Sequence, residues 1–226
     1  MPKKKLECIG DPDVELFDQG YSIIGIDEAG RGPIAGPMFV GIVNFSDASL
    51  GPSLGQLGLK DSKRFSSEKK RRAVDTKIRN VAWNYNVVRI EVPEIESAIN
   101  LNDLFDQYTA ESVLHSSVGG GWALARHTRD NKIRVLVDGN RKIKGIPRDI
   151  QICRPKLDAT SWHVAAASIL AKTAQTRYME SLAKKYPQYG FDKHHGYGTK
   201  AHFEAIKIYG FLDEHRKSWV KPEKLI

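Results

Sequence analysis

Gly25-Ile26-Asp27-Glu28-Ala29-Gly30-Arg31-Gly32-Pro33-Ile34-Ala35-Gly36-Pro37 sets two acids at the end of an apolar run and follows them with a glycine-flanked arginine. Adjacent carboxylates repel each other and resist burial, so a fold holds them most readily beside a cation or in a wet cleft. Hard divalent metals are the natural neutraliser. An inert polar turn leaving a strand would read the same way, and these thirteen residues alone leave both options open. A nucleotide phosphate loop is disfavoured, because Arg31 and Gly32 stand where that loop needs lysine and a hydroxyl, and two acids inside it would repel phosphate.

Working outward, Ser22 to Asp27 and Met38 to Phe45 have strand character, and a Gly/Pro-rich stretch at 51–58 reads as a loop. Ser66 or Ser67 can cap a helix reaching about Ala82, with Val74, Ile78 and Val81 at helical spacing; Val87 to Val92 returns to strand. Residues 94–130 read mainly as helix, broken near Gly119-Gly120-Gly121. Ile133 to Asp138 then repeats the first design, a β-rich run ending on an acid and Gly139. A short strand at Ile150 to Cys153 leads to Asp158 and to a long helix from about Ser161 to Lys185, where three alanines at 165–167 permit close packing on a sheet. Pro187 to Gly198 reads as a loop, Thr199 can cap a last helix and Gly210 can end it.

If the strands ending at Asp27 and Asp138 are parallel neighbours, the two acids lie about one strand spacing, roughly 5 Å, apart at one sheet edge. Ligands of open α/β sheets gather at the carboxyl ends of strands, and Asp158 with Glu28 would complete a cluster of four acids there. Four acids demand cations, and two divalent ions would make the chemistry a phosphodiester hydrolysis. All-oxygen donors suit Mg²⁺ or Mn²⁺ better than zinc, and the histidines form no zinc signature.

With 226 residues, 41% hydrophobic and 27% charged, the chain is expected to fold as a soluble globular protein. Its longest apolar runs are too short to span a membrane and its Lys-rich start has no apolar signal core, so a cytoplasmic protein without membrane contact is expected. Cys8 and Cys153 are too isolated for a disulfide framework or a structural zinc site. A net charge of +8, with runs such as Lys69-Lys70-Arg71-Arg72, favours a polyanionic partner.

At this point the motifs resemble the type 2 ribonuclease H family, ribonuclease HII. They are the opening stretch with Ala35-Gly36-Pro37, Asp61-Ser62-Lys63, Val137-Asp138-Gly139-Asn140, Ala165 through Lys172, Tyr186-Pro187, Tyr189-Gly190-Phe191, His194, Gly196-Tyr197-Gly198-Thr199, His202 and His215-Arg216-Lys217-Ser218, in family order over about residues 22–219. The resemblance implies an α/β fold, an RNase H-like mixed sheet flanked by helices with a C-terminal helical segment. It divides the chain into an extension at 1–20, loosely held, a catalytic domain at 21–186 and a substrate-gripping segment at 187–226. It implies Asp27, Glu28, Asp138 and Asp158 as catalytic acids holding two Mg²⁺ or Mn²⁺ ions. Gly30, Arg31 and Gly32 would read the ribose 2′-hydroxyl and its phosphate, Lys63 and Lys172 would contact phosphate, and Tyr197 would pack on the neighbouring deoxyribose.

The implied activity is endonucleolytic cleavage of RNA–DNA hybrids and nicking of duplex DNA 5′ of embedded ribonucleotides, leaving 3′-hydroxyl and 5′-phosphate ends, in ribonucleotide excision and primer removal. A monomer is expected, with a replication clamp as a candidate partner. The sister type 3 enzyme is disfavoured by Arg31, and a noncatalytic hybrid-binding module by the intact acids. Several positions depart from the family pattern: Leu157 for a glycine, Gln175-Thr176 for an arginine-aspartate pair, and His195 for a lysine.

Overall fold

The computed structural model describes residues 9–45, 51–115 and 132–225. Strands β1 (Ser22–Ala29), β2 (Met38–Asn44), β3 (Asn84–Ile90), β4 (Ile133–Asp138) and β5 (Gln151–Arg154) form one sheet in the order β3-β2-β1-β4-β5. The pairs β3/β2 and β2/β1 are antiparallel, whereas β1/β4 and β4/β5 are parallel, giving the mixed sheet expected. Ile26 lies opposite Val137, so Asp27 and Asp138 each follow directly on that pair at the same edge.

Side chains alternate across a strand, and both faces of the central strands are buried, so β2 is apolar or glycine for six of its seven residues. One face, with Ile24, Ile26, Val40, Ile42, Val135 and Val137, packs against a helical layer at residues 92–113 that includes Ile95, Phe105 and Val113.

 That layer consists of α4 (Val92–Ser97) and α5 (Leu101–His115). The opposite face, with Ile23, Val43 and Leu136, packs against the long helix α6 (Trp162–Lys185) and its alanines 165–167. The helix comes so close that a Cβ on Gly25 would stand 2.3 Å from the His163 backbone, and one on Gly41 would stand 2.0 Å from the Ala167 carbonyl oxygen.

Side-chain capping accounts for three of the helix starts. Ser67 accepts from the Lys70 amide at the start of α3 (Glu68–Val81), Ser161 from Val164 at α6, and Thr199 from His202 at α8 (Lys200–Tyr209), which stops at Gly210 with φ +80°. A third apolar cluster, with Ile34, Met179, Leu182, Tyr189, Phe191 and Ile206, joins α6 and α8 to the loop after β1.

Several local expectations change. The 51–58 segment contains the helix α2 (Gly51–Gln56), because burying Leu54 in the α6-side core draws the chain into a helical turn. The 187–198 segment is a 3-10 turn, Pro187–Tyr189, followed by the short helix α7 (Phe191–His194), with Tyr189 and Phe191 buried. The helical stretch from 94 breaks at 98–100 into α4 and α5, whereas the break read at Gly119-Gly120-Gly121 lies outside the described residues. No described helix is long and apolar enough to cross a membrane.

Near the N-terminus, the part of the extension from Gly10 onward is anchored rather than loosely held. The helix α1 (Asp11–Asp18) carries the fully buried Asp13, which accepts from the Trp162 and His163 amides and the Ser161 hydroxyl, each at 3.1 Å, and pairs with His163 Nδ1 at 2.5 Å. A carboxylate there meets both the orphan amides and the positive end of a 24-residue helix. Asp13→Ala is expected to lower stability by about 2–4 kcal/mol, since several buried donors lose their acceptor together. Urea unfolding checks this, and a change below about 0.5 kcal/mol, the size of an ordinary surface substitution, would contradict the anchoring role.

Candidate active site

The parallel pairing of β1 and β4 brings Asp27 and Asp138 to the mouth of a cleft of about 390 Å³. Glu28, Gly30, Arg31, Gly32, Lys63, Asp158 and Tyr197 line the same cleft, together with Ser62, Ser168, Lys172 and Gln175. All four acids and all six substrate-contact residues expected from the sequence, Lys172 among them, therefore share one space.

Each acid is held differently. Asp27 follows Gly25 on the α6 face and is 8% exposed. Its carboxylate accepts from the Glu28 amide at 2.8 Å and engages Ser168, which also bonds the Ser62 hydroxyl at 2.9 Å. Burial raises its pKa well above the usual carboxylate value, and the charges of Glu28 and Asp138 add to the rise. Glu28, on the other face, accepts from Arg31 Nε at 2.8 Å. Asp138 accepts from the Leu157 amide at 2.9 Å. Asp158 sits in a 3-10 turn, Leu157–Ala159, and its pKa is raised by burial and then by Asp138 and Asp61, with Lys63 acting in the opposite sense.

Among the described residues, no three His, Cys, Asp or Glu side chains stand close enough together to hold a metal ion as they are placed. The carboxylates ring the cleft instead, with Glu28 and Asp138 engaged by neighbouring donors. Two buried acids whose proton affinity is raised by their neighbours nevertheless mark an excess of negative charge, and the donors are all oxygen. That set suits a hard divalent cation.

The loop beyond the acids is fixed from the far end of the chain. Arg216 is fully buried, and its guanidinium donates to the carbonyls of Gly30 at 2.7 Å, Arg31 at 3.0 Å and Gly36 at 2.7 and 3.0 Å. Burial lowers its pKa to about 10, which leaves it charged at neutral pH. The Arg31 side chain is directed by Glu28, by Asn102 Oδ1 at 3.0 Å and by the Phe105 ring 5.2 Å away. Tyr197, 47% exposed, faces Gly32, where an added Cβ would lie 3.6 Å from its ring.

The description Ribonuclease HII belongs to the family profile that matches residues 24–222. A Bacillus cereus ribonuclease HII is 37% identical over 213 residues, covering 93% of this chain and 74% of the relative. The chain belongs to the ribonuclease HII family. Family membership makes it a ribonuclease H, an endonuclease that hydrolyses phosphodiester bonds of RNA–DNA hybrids. Solved structures share its fold, and two of them illustrate the range. One is the PCNA:RNase HII complex from Archaeoglobus fulgidus, 26% identical with a TM-score of 0.67 over 87% of this chain and 93% of that one. The other is Bst-RNase HIII in complex with Mn²⁺, 19% identical with a TM-score of 0.68 over 91% and 69%. The likeness to the type 3 enzyme is one of fold, whereas the family match is to type 2.

The departures from the family pattern acquire local explanations. Leu157 follows Lys156 at φ +67°, so its amide reaches Asp138 while its side chain is buried in the core. Gln175 accepts from Lys172 Nζ at 2.6 Å, and Thr176 accepts from Arg71 at 2.9 Å, so neutral acceptors serve two cations. Burial, and then the neighbouring charge of Arg71, push the Lys172 ammonium down to about 8. His195 adopts φ +47°, and its pKa is lowered by burial and then by Lys172.

Sequence reasoning gave no role to Arg216, Asn102 or Ser168. Arg216 belongs to the His215-Arg216-Lys217-Ser218 motif, but a basic residue beside Lys217 reads as surface charge until packing shows it buried. Nothing local marks Asn102.

The raised pKa of Asp27 carries a sign. The folded state binds that proton more tightly than the unfolded chain, so the ionised carboxylate destabilises the fold as pH rises above about 4, the ordinary carboxylate value, through the raised one. Asp27→Asn is therefore expected to raise the unfolding temperature at pH 7 in chelator. Calorimetry of both proteins checks this, and an unchanged or lower value for the variant would contradict the electrostatic account.

Proposed function

We propose that the chain cleaves the RNA strand of hybrids and nicks duplex DNA 5′ of an embedded ribonucleotide, leaving 3′-hydroxyl and 5′-phosphate ends. The carrying observation is that the four acids, the Gly30-Arg31-Gly32 loop and Tyr197 line one cleft. Asp27, Glu28, Asp138 and Asp158 would hold two divalent ions, Mg²⁺ or Mn²⁺. When bound, such ions supply an activated water and stabilise the leaving oxygen of an in-line displacement. The Mn²⁺ complex of the type 3 fold relative supports the choice of metal.

The remaining residues bind and orient. Glycine at 30 and 32 lets the loop approach a sugar edge closely, and Arg31, steered by Glu28 and Asn102, is placed to meet the adjoining phosphate. Lys63 and Lys172, which line the same cleft, would supply positive charge to phosphate. The exposed ring of Tyr197 offers a flat surface for the next sugar, and a 2′-hydroxyl there would crowd it. Residues 187–226 would grip the duplex, consistent with the excess of basic residues. The excision of ribonucleotides and removal of RNA primers are the processes this specificity would serve. A sliding clamp is a candidate partner on the strength of the A. fulgidus complex.

A duplex with one ribonucleotide is expected to be nicked on its 5′ side in Mg²⁺ while all-DNA duplex survives. Asp138→Asn should slow that nick by about 100-fold or more, the scale for loss of a group acting mainly in the transition state. Its affinity for the uncut duplex should change little. Gel analysis of the cut position, with anisotropy for binding, reads both; cutting of all-DNA duplex or near wild-type turnover by Asp138→Asn would contradict the proposal.

A further inference from the structure

Two buried rings, His202 and His215, and the half-buried ring of His194 lie close to the Tyr197 backbone, and their nitrogen atoms are consistently partnered. His202 Nδ1 is 2.9 Å from the Tyr197 carbonyl, so it carries the proton and donates, leaving Nε2 as an acceptor. His215 Nδ1 accepts from the Leu212 amide at 2.8 Å, so its proton is on Nε2, 3.2 Å from His202 Nε2. These partner-based tautomers fit together without a clash of donors. His194 stacks on His202 at 4.3 Å, donates from Nε2 to the Tyr189 carbonyl at 2.8 Å and accepts from the Gly196 amide at 3.3 Å.

The path ends next to the residue that fixes the sugar-facing loop. His215 precedes Arg216, whose guanidinium holds the Gly30, Arg31 and Gly36 carbonyls. On either side the backbone is stitched together: Ile34 donates to the Gly196 carbonyl at 2.9 Å, Arg216 to the Ile34 carbonyl at 2.8 Å and Gly36 to the Glu214 carbonyl at 2.8 Å. The backbone of Tyr197 and the loop it faces are thus referred to one buried frame.

We infer that His202 and His215 are positioning residues that hold Tyr197 in register with the Gly30-Arg31-Gly32 loop and so set the preference for a ribonucleotide–deoxyribonucleotide junction. The inference rests on the proposed role of Tyr197. The rings are suited to it because they are fully desolvated, 0% and 1% exposed, and provide directional bonds at both ends, which an apolar core residue could not. Burial lowers both to about 4; His194 and His215 face His202, while His194 and Lys217 face His215, so the path stays neutral at ordinary pH.

The test compares His202→Leu, His202→Asn, Tyr197→Ala and the double variant Tyr197→Ala/His202→Leu. Single-turnover rates are taken on a one-ribonucleotide duplex and on a continuous hybrid in the same Mg²⁺ and salt, with unfolding temperatures measured alongside. His202→Leu should lower the junction-to-hybrid rate ratio by about fivefold, a partial loss relative to Tyr197→Ala. His202→Asn, which keeps a donor where Nδ1–H stood, should recover much of the ratio, and the double variant should match Tyr197→Ala, as expected for residues acting as a unit. A purely structural role would lower stability and both rates together and leave the ratio intact, which would overturn the inference. A ratio insensitive to Tyr197→Ala would instead overturn the role of Tyr197 itself. If His202→Leu does not fold, His215→Phe breaks the path one ring away and is read by the same ratio.

Discussion

Close contact between α6 and the sheet at Gly25 and Gly41 is the constraint on which the cleft depends. Any side chain at either glycine would strike helix backbone, so the helix could not lie where it does. Because it does, Ser168, Lys172 and Gln175 line the cleft with Asp27. The same contact removes water from Asp27 and raises its proton affinity. The fold thus accepts an unfavourable carboxylate at the point where a cation would be useful, a usual tension between stability and activity. Asp13, by holding the first turn of that helix, fixes its start relative to the sheet.

A second anchor governs the loop that would face the sugar. Arg216 lies 186 residues along the chain from Gly30, yet it bonds the carbonyls that shape the loop. The C-terminal segment is therefore part of the site's construction. Its buried cation is compensated by carbonyl dipoles and the Trp219 ring 4.7 Å away, an arrangement that fixes geometry because several acceptors must converge on one planar group.

Much of this was legible in the sequence because the signals were local. The acid-terminated strands, the serine and threonine caps at Ser67, Ser161 and Thr199, and the alanine run of α6 each announce their element through periodicity or side-chain chemistry. The convergence of Asp27 and Asp138 followed from one added premise, parallel pairing, which the sheet has. What was not legible depends on contacts distant in sequence. Leu54 turns a Gly/Pro-rich stretch helical through burial, Asp13 is an ordinary acid until α6 meets it, and Arg216 resembles its exposed basic neighbours. Leu157 shows the reverse case: a glycine is unnecessary there because the amide makes the contact and the side chain has a core to enter.

The central claim is that the acid-lined cleft performs hydrolysis only with divalent cations. The most direct measurement is to form the complex with a one-ribonucleotide duplex in chelator, then add Mg²⁺ or Mn²⁺ in excess and follow the ends produced. The account predicts a stable, uncut complex before addition and a burst of 3′-hydroxyl and 5′-phosphate ends afterwards. Cleavage in chelator, or a bound duplex left intact after either metal is added, would contradict it.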